Sequence, residues 1–291
     1  MLIRISDDAL SRALGADELA AAFEQKGHEV QRTSSWGMQW LEPLVEVDGN
    51  GFGPATIDDV DAILDGSSDK AIGRIEDHPF IARQQRLTFA RAGKTRPLSL
   101  EDYEAAGGWS GLRRARQIGS EKIVEEVTQS GLRGRGGAGF PAGIKWRTVM
   151  LAPGETKYVV CNVSEGEPAV AKDGHILEKW PDIVIEGIKL AMEEVGAKKG
   201  YLYLRHDYFD KFKNALAEII GAREIKIIRE PGGYLGGEET ALLDSIEGKA
   251  VEPRIKPPFP PQAGLWGCPT LINNLETLYF AARIVCGEYK N

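Results

Sequence analysis

Ser130-Gly131-Leu132-Arg133-Gly134-Arg135-Gly136-Gly137-Ala138-Gly139-Phe140-Pro141-Ala142-Gly143-Ile144-Lys145-Trp146 is the densest chemical statement in the sequence. Six glycines fall within 131–143, so the backbone here reaches positive φ and approaches a ligand closely. Arg133, Arg135 and Lys145 set cationic donors around it. Exposed N–H groups beside cations suit an anion such as a phosphate. Phe140 and Trp146 add flat surfaces able to stack on a ring. The stretch reads as a nucleotide or flavin cradle, with a glycine-rich surface loop as the plain alternative. Gly134, Gly136 and Gly139 fit G-x-G-x-x-G, but that fingerprint requires a strand immediately before it. Here Ile123, Val124 and Val127 recur at helical spacing, so a standard Rossmann first turn is not expected.

The bulk composition describes a soluble protein with a real core. The chain has 291 residues, 42% apolar and 27% charged, with a net charge of −7. That length suggests one large domain or two ordinary ones, and the acidic balance argues against nucleic acid as a partner. No apolar run is long enough to span a bilayer. Met1–Asp8 carries no secretion signal, which makes the cytoplasm the default compartment. Cys161, Cys268 and Cys286 form no C-x-x-C pair and cannot supply four thiolates to a cluster within the chain. They read as inert thiols. His28, His78, His175 and His206 lack zinc spacing, so no metal ligands are expected.

Residues 1–66 read as a small α/β unit, thioredoxin-like in its alternation of strands and short helices. Leu2, Ile3 and Ile5 open a strand, Asp17–Lys26 a helix ended by Gly27. Trp36–Val47 reads as strand with a break at Pro43. Gly49–Pro54 is a turn cluster, and Thr56 caps a helix carrying Val60, Ile63 and Leu64. Residues 67–111 read as a connector. In it Phe80–Ala92 suits a basic surface helix, and Leu98–Ala105 a helix capped by Ser99 with Asp102 as its partner.

From 112 to 291 strand and helix alternate. Tyr158–Cys161, Tyr201–Leu204 and Glu224–Ile228 read as strands separated by helical faces, one restarting at Pro181. This implies a Rossmann-like parallel sheet covered by helices, with ligands at the carboxyl ends of the strands. Two acidic, glycine-bearing loops follow strand ends: 161–168, with Glu165 and Glu167, and 230–240, with Glu238 and Glu239. Glu238 and Glu239 also suit simple helix capping. Together with the cationic glycine loop they suggest a shared site, since carboxylates accept from ribose hydroxyls or a carboxamide. Pro253–Pro261 fixes an extended path, either a peptide-recognition segment or a rigid lid carrying Lys256 and Phe259. Asn273 and Asn274 sit where a closing helix begins and suit a cap.

Four segments carry a family resemblance: Gly134–Pro141 with Lys145-Trp146, Cys161-Asn162 to Glu167-Pro168, Gly237–Leu242, and Lys256–Pro260 to Asn273-Asn274. In order and register over residues 112–285, they resemble the flavin- and NADH-binding subunit of respiratory NADH dehydrogenase. The same module occurs in NAD-reducing hydrogenases and NAD-dependent formate dehydrogenases. Trp40–Val47, Leu87–Arg91 and Pro97–Tyr103 resemble the beta subunit of the soluble molybdenum or tungsten formate dehydrogenase. There a thioredoxin-like domain precedes the flavin module. Related domains hold a two-iron cluster, but no cysteine precedes Cys161 here, which implies a clusterless docking domain.

Carried over by position, the resemblance implies that FMN is held by Gly134, Arg135, Gly136, Gly137, Lys145, Asn162, Glu165, Tyr234, Gly237, Glu238, Asn273 and Asn274. It implies that NAD(H) touches Phe140, Glu167, Glu239, Lys256 and Phe259. Phe140 and Phe259 would sandwich adenine, and Glu167 would orient the nicotinamide as the residue closest to catalysis. Three positions depart from the family: Ser164 stands for an aspartate, Gly236 for a cysteine and Thr148 for an aromatic. Relatives continue into a ubiquitin-like segment and a four-cysteine domain, whereas the sequence runs to Asn291. Iron–sulfur clusters are therefore expected only on partner chains or on a further C-terminal part. The implied function is NAD(H):FMN electron transfer within a formate dehydrogenase, with its iron–sulfur and molybdenum or tungsten subunits as partners. The same module in a hydrogenase, respiratory NADH dehydrogenase or electron-bifurcating reductase is the first alternative. A non-catalytic flavoprotein scaffold is the second.

Overall fold

The computed structural model describes residues 1–86 and 89–288. The chain divides into two compact units, Met1–Asp102 and Tyr103–Asn291.

In the first unit the order of apolar strand, helix and strand produces a five-stranded sheet. Its strands are β1 (Leu2–Ser6), β2 (Glu29–Thr33), β3 (Val45–Val47), β4 (Asn50–Phe52) and β5 (Ala71–Arg74), in the order β2-β1-β3-β4-β5. β1 and β2 are parallel, with helix Ala16–Gln25 in the connection between them; β3 runs antiparallel to β1, β4 to β3 and β5 to β4. This is the thioredoxin-like arrangement. Ile3, Ile5, Leu19, Phe23, Val45, Val60 and Ile63 form its core. Thr56 and Asp59 make a reciprocal capping box before helix Val60–Asp65, which satisfies N–H groups the first turn leaves open.

Several local expectations change. Trp36–Val47 is not one strand. Gln39–Leu41 is a single 3-10 turn, and ladder pairing is confined to Val45–Val47. The Gly49–Pro54 cluster holds a tight hairpin instead of a free turn. Asp48 and Gly49 both take positive φ, and Asn50–Phe52 pairs back on β3, the geometry of a two-residue hairpin loop. β5 and the short helix Pro79–Ala82 lie within the stretch 67–111. The basic helix expected over Phe80–Ala92 shrinks to Pro79–Ala82, begun where His78 Nδ1 accepts from the Phe80 N–H. Leu87 and Thr88 of the Leu87–Arg91 segment lie outside the described residues, as do residues 289–291.

The second unit is built on a four-stranded, wholly parallel sheet of β6 (Tyr158–Val163), β7 (Lys199–Leu204), β8 (Ile225–Arg229) and β9 (Thr270–Asn274), ordered β8-β7-β6-β9. The chain runs outward from β6 through β7 to β8, then returns to add β9 on the other side of β6. That reversal is a topological switch point, and the crevice at the carboxyl ends of β6 and β9 is where such sheets take ligands. Val159, Val160, Cys161 and Val163 of β6 are all fully buried, the near-continuous apolar run expected of a strand covered on both faces. Helices Pro181–Val195 and Leu275–Val285 pack together. β9 was not expected as a strand: its asparagines are poor strand formers, and its pairing with β6 decides the matter. Helix Ser120–Gln129, not a strand, leads into the glycine stretch, so the Rossmann first-turn reading is excluded on geometry.

Among the described residues no helix is long and apolar enough to cross a membrane.

Candidate functional site

At the carboxyl ends of β6 and β9 lie two neighbouring cavities of about 600 Å³ and about 300 Å³. Gly136, Asn162, Gly237, Glu238 and Asn274 line both. The larger adds Arg135, Gly137, Ser164, Glu165, Glu167, Lys172, Asp173 and Tyr234; the smaller adds Gly134, Phe140, Lys145, Glu239, Lys256 and Asn273. Residues far apart in sequence thus meet in one place, as the acidic loops and the glycine loop suggested. Phe259 is the exception. It is 50% exposed, stands in neither wall, and starts the short helix Pro260–Ala263, its N–H donating to Gln262 Oε1. The expected adenine sandwich with Phe140 is therefore not preformed.

The glycine loop closes on itself. The Gly134 N–H donates to the Phe140 carbonyl at 2.8 Å, and the Ala142 N–H to the Leu132 carbonyl at 2.9 Å. Between these ties Gly137 takes φ +111°, a conformation that any side chain would strain. A Cβ on Gly136 would lie 3.3 Å from Asn274 Cβ. The Arg135 N–H donates to Thr277 Oγ1, and its guanidinium stacks over the Phe280 ring at 5.3 Å. Helix Ala142–Leu151 follows and brings Lys145 into the smaller cavity. Trp146, expected to offer a stacking surface, is fully buried in the core. Its Nε1–H donates to Asn273 Oδ1 at 2.9 Å and so ties this helix to β9. Thr148 turns onto its own helix, Oγ1 donating to the Ile144 carbonyl.

The strand ends supply amides. Pairing sets Asn162 beside Asn274 and Cys161 beside Asn273. Asn162 Nδ2 donates to the Gly237 carbonyl and its Oδ1 accepts from the Ser164 N–H, so its side chain fixes the wall. Asn274 caps helix Leu275–Val285 through the Glu276 N–H, as a cap reading expects, and also donates to Asp173 Oδ2. Glu165 is buried. Its carboxylate accepts from the Asp173 and Gly174 N–H groups and the Tyr208 hydroxyl. It anchors helix Lys172–Lys179, a positioning role the family motif did not indicate.

Lys172 and Asp173 escaped sequence reading. Lys172 binds Asp173, Asn274 Oδ1 and Glu276. Burial, only partly offset by Lys172, pushes the Asp173 carboxyl up to about 6. The available signal was a Lys-Asp pair opening a helix just after an acidic strand-end loop. Glu238 behaves as the capping alternative states, accepting from the Thr240 and Ala241 N–H groups. Burial raises its carboxyl, but the Thr240 hydroxyl, Lys256 and those N–H groups outweigh it and bring the group to about 2. Glu239 pairs with Lys145 at 3.1 Å and with Lys256 at 3.7 Å. Lys145 also donates to the Ile272 carbonyl. Tyr234 donates to Glu167 Oε2 at 2.8 Å across the mouth of the larger cavity.

Cys161 is buried, and burial pushes its thiol well up, the inert state expected of it. Among the described residues no group of three or more His, Cys, Asp or Glu side chains could hold a metal ion. A separate cavity of about 460 Å³ in the first unit has walls that include Arg4, Glu46, Glu76 and Lys94. Its Arg4 and Lys94 are paired with its own Glu46 and Glu76, and it has no counterpart of the glycine loop.

Residues 127–283 match the family model described as the Nuo51 FMN-binding domain. An NADH-quinone oxidoreductase subunit from Rhizobium meliloti is 44% identical over 203 residues, 64% of this chain and 48% of that protein. The alpha subunit of the NAD-reducing hydrogenase HoxS from Cupriavidus necator is 43% identical over 182 residues, 57% of this chain and 30% of that protein. A crystal structure of an NAD+-reducing NiFe-hydrogenase in the air-oxidized state is similar over 98% of this chain and 52% of that one, with a TM-score of 0.60 at 27% identity. The chain spans about half the length of the first two curated relatives, 48% and 49%.

Proposed function

The chain belongs to the Nuo51 FMN-binding domain family, and from that premise we propose that its second unit binds FMN and NAD(H) side by side and passes hydride between them. The observation that carries this reading is the pair of abutting cavities at the switch point, sharing one glycine wall. The wall suits a flat, phosphorylated ring system. Side chains at Gly136 or Gly237 would crowd it, since a Cβ on Gly237 would sit 3.0 Å from the Ser164 carbonyl. Arg135, Lys145, Lys172 and Lys256 offer cationic donors around it.

In this reading Gly134, Arg135, Gly136, Gly137, Lys145, Tyr234, Gly237, Asn273 and Asn274 hold FMN directly. Asn162, Glu165 and Glu238 hold the wall that receives it, because their side-chain groups are engaged with backbone. Phe140, Glu167, Glu239 and Lys256 face the dinucleotide, and Phe259 joins them by movement of the proline-rich segment. Bound FMN would supply the hydride acceptor, so the protein needs no acid or base of its own; it orients the reactants. Glu167 is the residue placed to orient the nicotinamide carboxamide.

The assembly we favour is a cytoplasmic NAD-dependent molybdenum or tungsten formate dehydrogenase. Support comes from the resemblance of the Trp40–Val47 and Pro97–Tyr103 segments and from a thioredoxin-like unit without cysteine. Iron–sulfur clusters on partner chains would exchange single electrons with the flavin. An NAD-reducing hydrogenase is the second reading, favoured by a structural likeness that extends over 98% of the chain. Purification of the native complex decides: formate-dependent reduction of NAD⁺ supports the first, and hydrogen-dependent reduction replaces it with the second.

Glu167→Gln tests the site itself. The variant keeps the Tyr234 contact but loses the charge. Replacing a charged acceptor with a neutral one weakens the hydrogen bond to the carboxamide by about 1–2 kcal/mol, which predicts a fall in kcat/KM for NADH of about fivefold to thirtyfold, with FMN affinity unchanged. Steady-state NADH oxidation by the FMN-loaded chain measures it. Undiminished turnover would remove Glu167 from the dinucleotide site.

A further inference from the structure

Glu230 follows directly on β8 and is 1% exposed. Its N–H donates to the Leu204 carbonyl, and its Oε1 accepts from the Ser164 hydroxyl at 2.8 Å. Its Oε2 is buried and has no hydrogen-bond partner among the described residues. A buried carboxylate held by one hydroxyl is costly to maintain, so its presence needs a cause.

The surroundings supply one. Ser164 lines the larger cavity, and its hydroxyl links that wall to Glu230. A Cβ on Gly236 would fall 2.3 Å from Glu230 Oε1 and 3.2 Å from Cγ. The carboxyl thus occupies the space that a side chain at 236 would take. The glycine at 236 leaves room for the carboxyl beside the Ser164 hydroxyl.

We infer that Glu230, just beyond β8, is a positioning residue of this site, holding the Ser164 hydroxyl of the cavity wall from behind, and that its charge tunes the reduction potential of the flavin. The inference rests on the FMN reading above. Reduction adds negative charge to the flavin, so an ionised carboxylate behind the wall opposes it and a neutral carboxyl does not. Burial raises this carboxyl, while the Ser164 hydroxyl, His206 and Arg205 pull it down and Asp207 raises it; Tyr203 on β7 feels its charge in turn. The sign follows. At low pH Glu230 is neutral and imposes no penalty. As pH rises through its titration, the potential falls more steeply than flavin protonation alone requires.

The experiment is an anaerobic redox titration of bound FMN in the full chain, repeated from mildly acid to mildly alkaline pH. Wild type is expected to show an extra inflection. Glu230→Gln removes that inflection, keeps the one contributed by Asp173 in the cavity wall at about 6, meets wild type at the acid end and lies above it at the alkaline end; a tenfold shift of the two-electron equilibrium corresponds to about 30 mV. Ser164→Ala, which strips the carboxylate of its donor, moves the inflection to higher pH. Infrared difference spectra of the flavin-free chain provide a second readout: a titrating protonated-carboxyl component lost in Glu230→Gln, while those of Asp173 and Glu194 remain. Coincident potential curves, or curves separated by a constant offset at every pH, overturn the assignment. Failure of wild type to bind FMN at all overturns the underlying reading instead, and the inference falls with it.

Discussion

Gly136→Leu is expected to fold like the parent chain and to bind FMN at least about a hundredfold more weakly, a loss of about 2.7 kcal/mol. Gly136 is exposed and its φ is negative, so the backbone accepts a side chain without strain. The loop is tied by backbone bonds on either side, at Gly134–Phe140 and Leu132–Ala142, and these do not involve Gly136. What changes is the cavity. Gly136 lines both chambers, and even its first added carbon would lie 3.3 Å from Asn274 Cβ. A leucine must extend into the space reserved for the ring system. Fluorescence titration of FMN, paired with a denaturant melt, measures both halves of the expectation. An unchanged Kd in a folded variant would mean that the flavin does not lie against this loop.

Trp146→Ala is expected to do the reverse, damaging the fold first and the site in consequence. Trp146 is fully buried, and its indole N–H donates to Asn273 Oδ1 at 2.9 Å. Truncating a buried tryptophan costs about 3–5 kcal/mol, and an acceptor left without a partner adds about 1–3 kcal/mol. Against a typical stability of about 5–15 kcal/mol, that is a large fraction. Trp146→Phe keeps most of the packing and loses the hydrogen bond, so it should cost roughly 1–2 kcal/mol. Both variants release the Asn273 amide from the orientation that faces the smaller cavity. Chemical unfolding of the three proteins gives the order wild type, Phe, Ala. Equal stabilities would mean that Trp146 does not anchor the glycine-loop helix to β9.

The sequence made the second unit readable because its strands are long, buried and separated by helices with clear apolar faces. The run Val159–Cys161 and the spacing Val184, Ile188, Ala191, Val195 leave little choice of secondary structure. The parallel sheet follows from that alternation, and the strand-end rule then puts 161–168 and 230–240 at one crevice. The glycine loop was readable for another reason: a cluster of glycines with arginines and a lysine has few structural uses.

What escaped was decided by tertiary pairing. β2, β4, β5 and β9 are short or at a sheet edge, and Asn50-Gly51-Phe52 or Asn273-Asn274 become strand only because a partner accepts their hydrogen bonds. Side-chain duties escaped for the same reason. Glu165, Glu238 and Asn162 are cofactor candidates by motif, yet their polar atoms are engaged by Asp173, Thr240 and Gly237. Trp146 looks like a stacking surface until the position of β9 buries it. The Ser164, Glu230 and Gly236 cluster joins Ser164 to a residue 66 positions further along the sequence, which no local pattern can reveal.

Hydride transfer between NAD(H) and FMN held against one glycine wall is tested most directly by adding NADH, without oxygen, to the chain loaded with FMN and following the flavin spectrum. Loss of the oxidised-flavin absorbance, stoichiometric with bound FMN, is expected, with a slower loss in Glu167→Gln. A flavin spectrum unchanged by excess NADH in the loaded wild-type protein would contradict it.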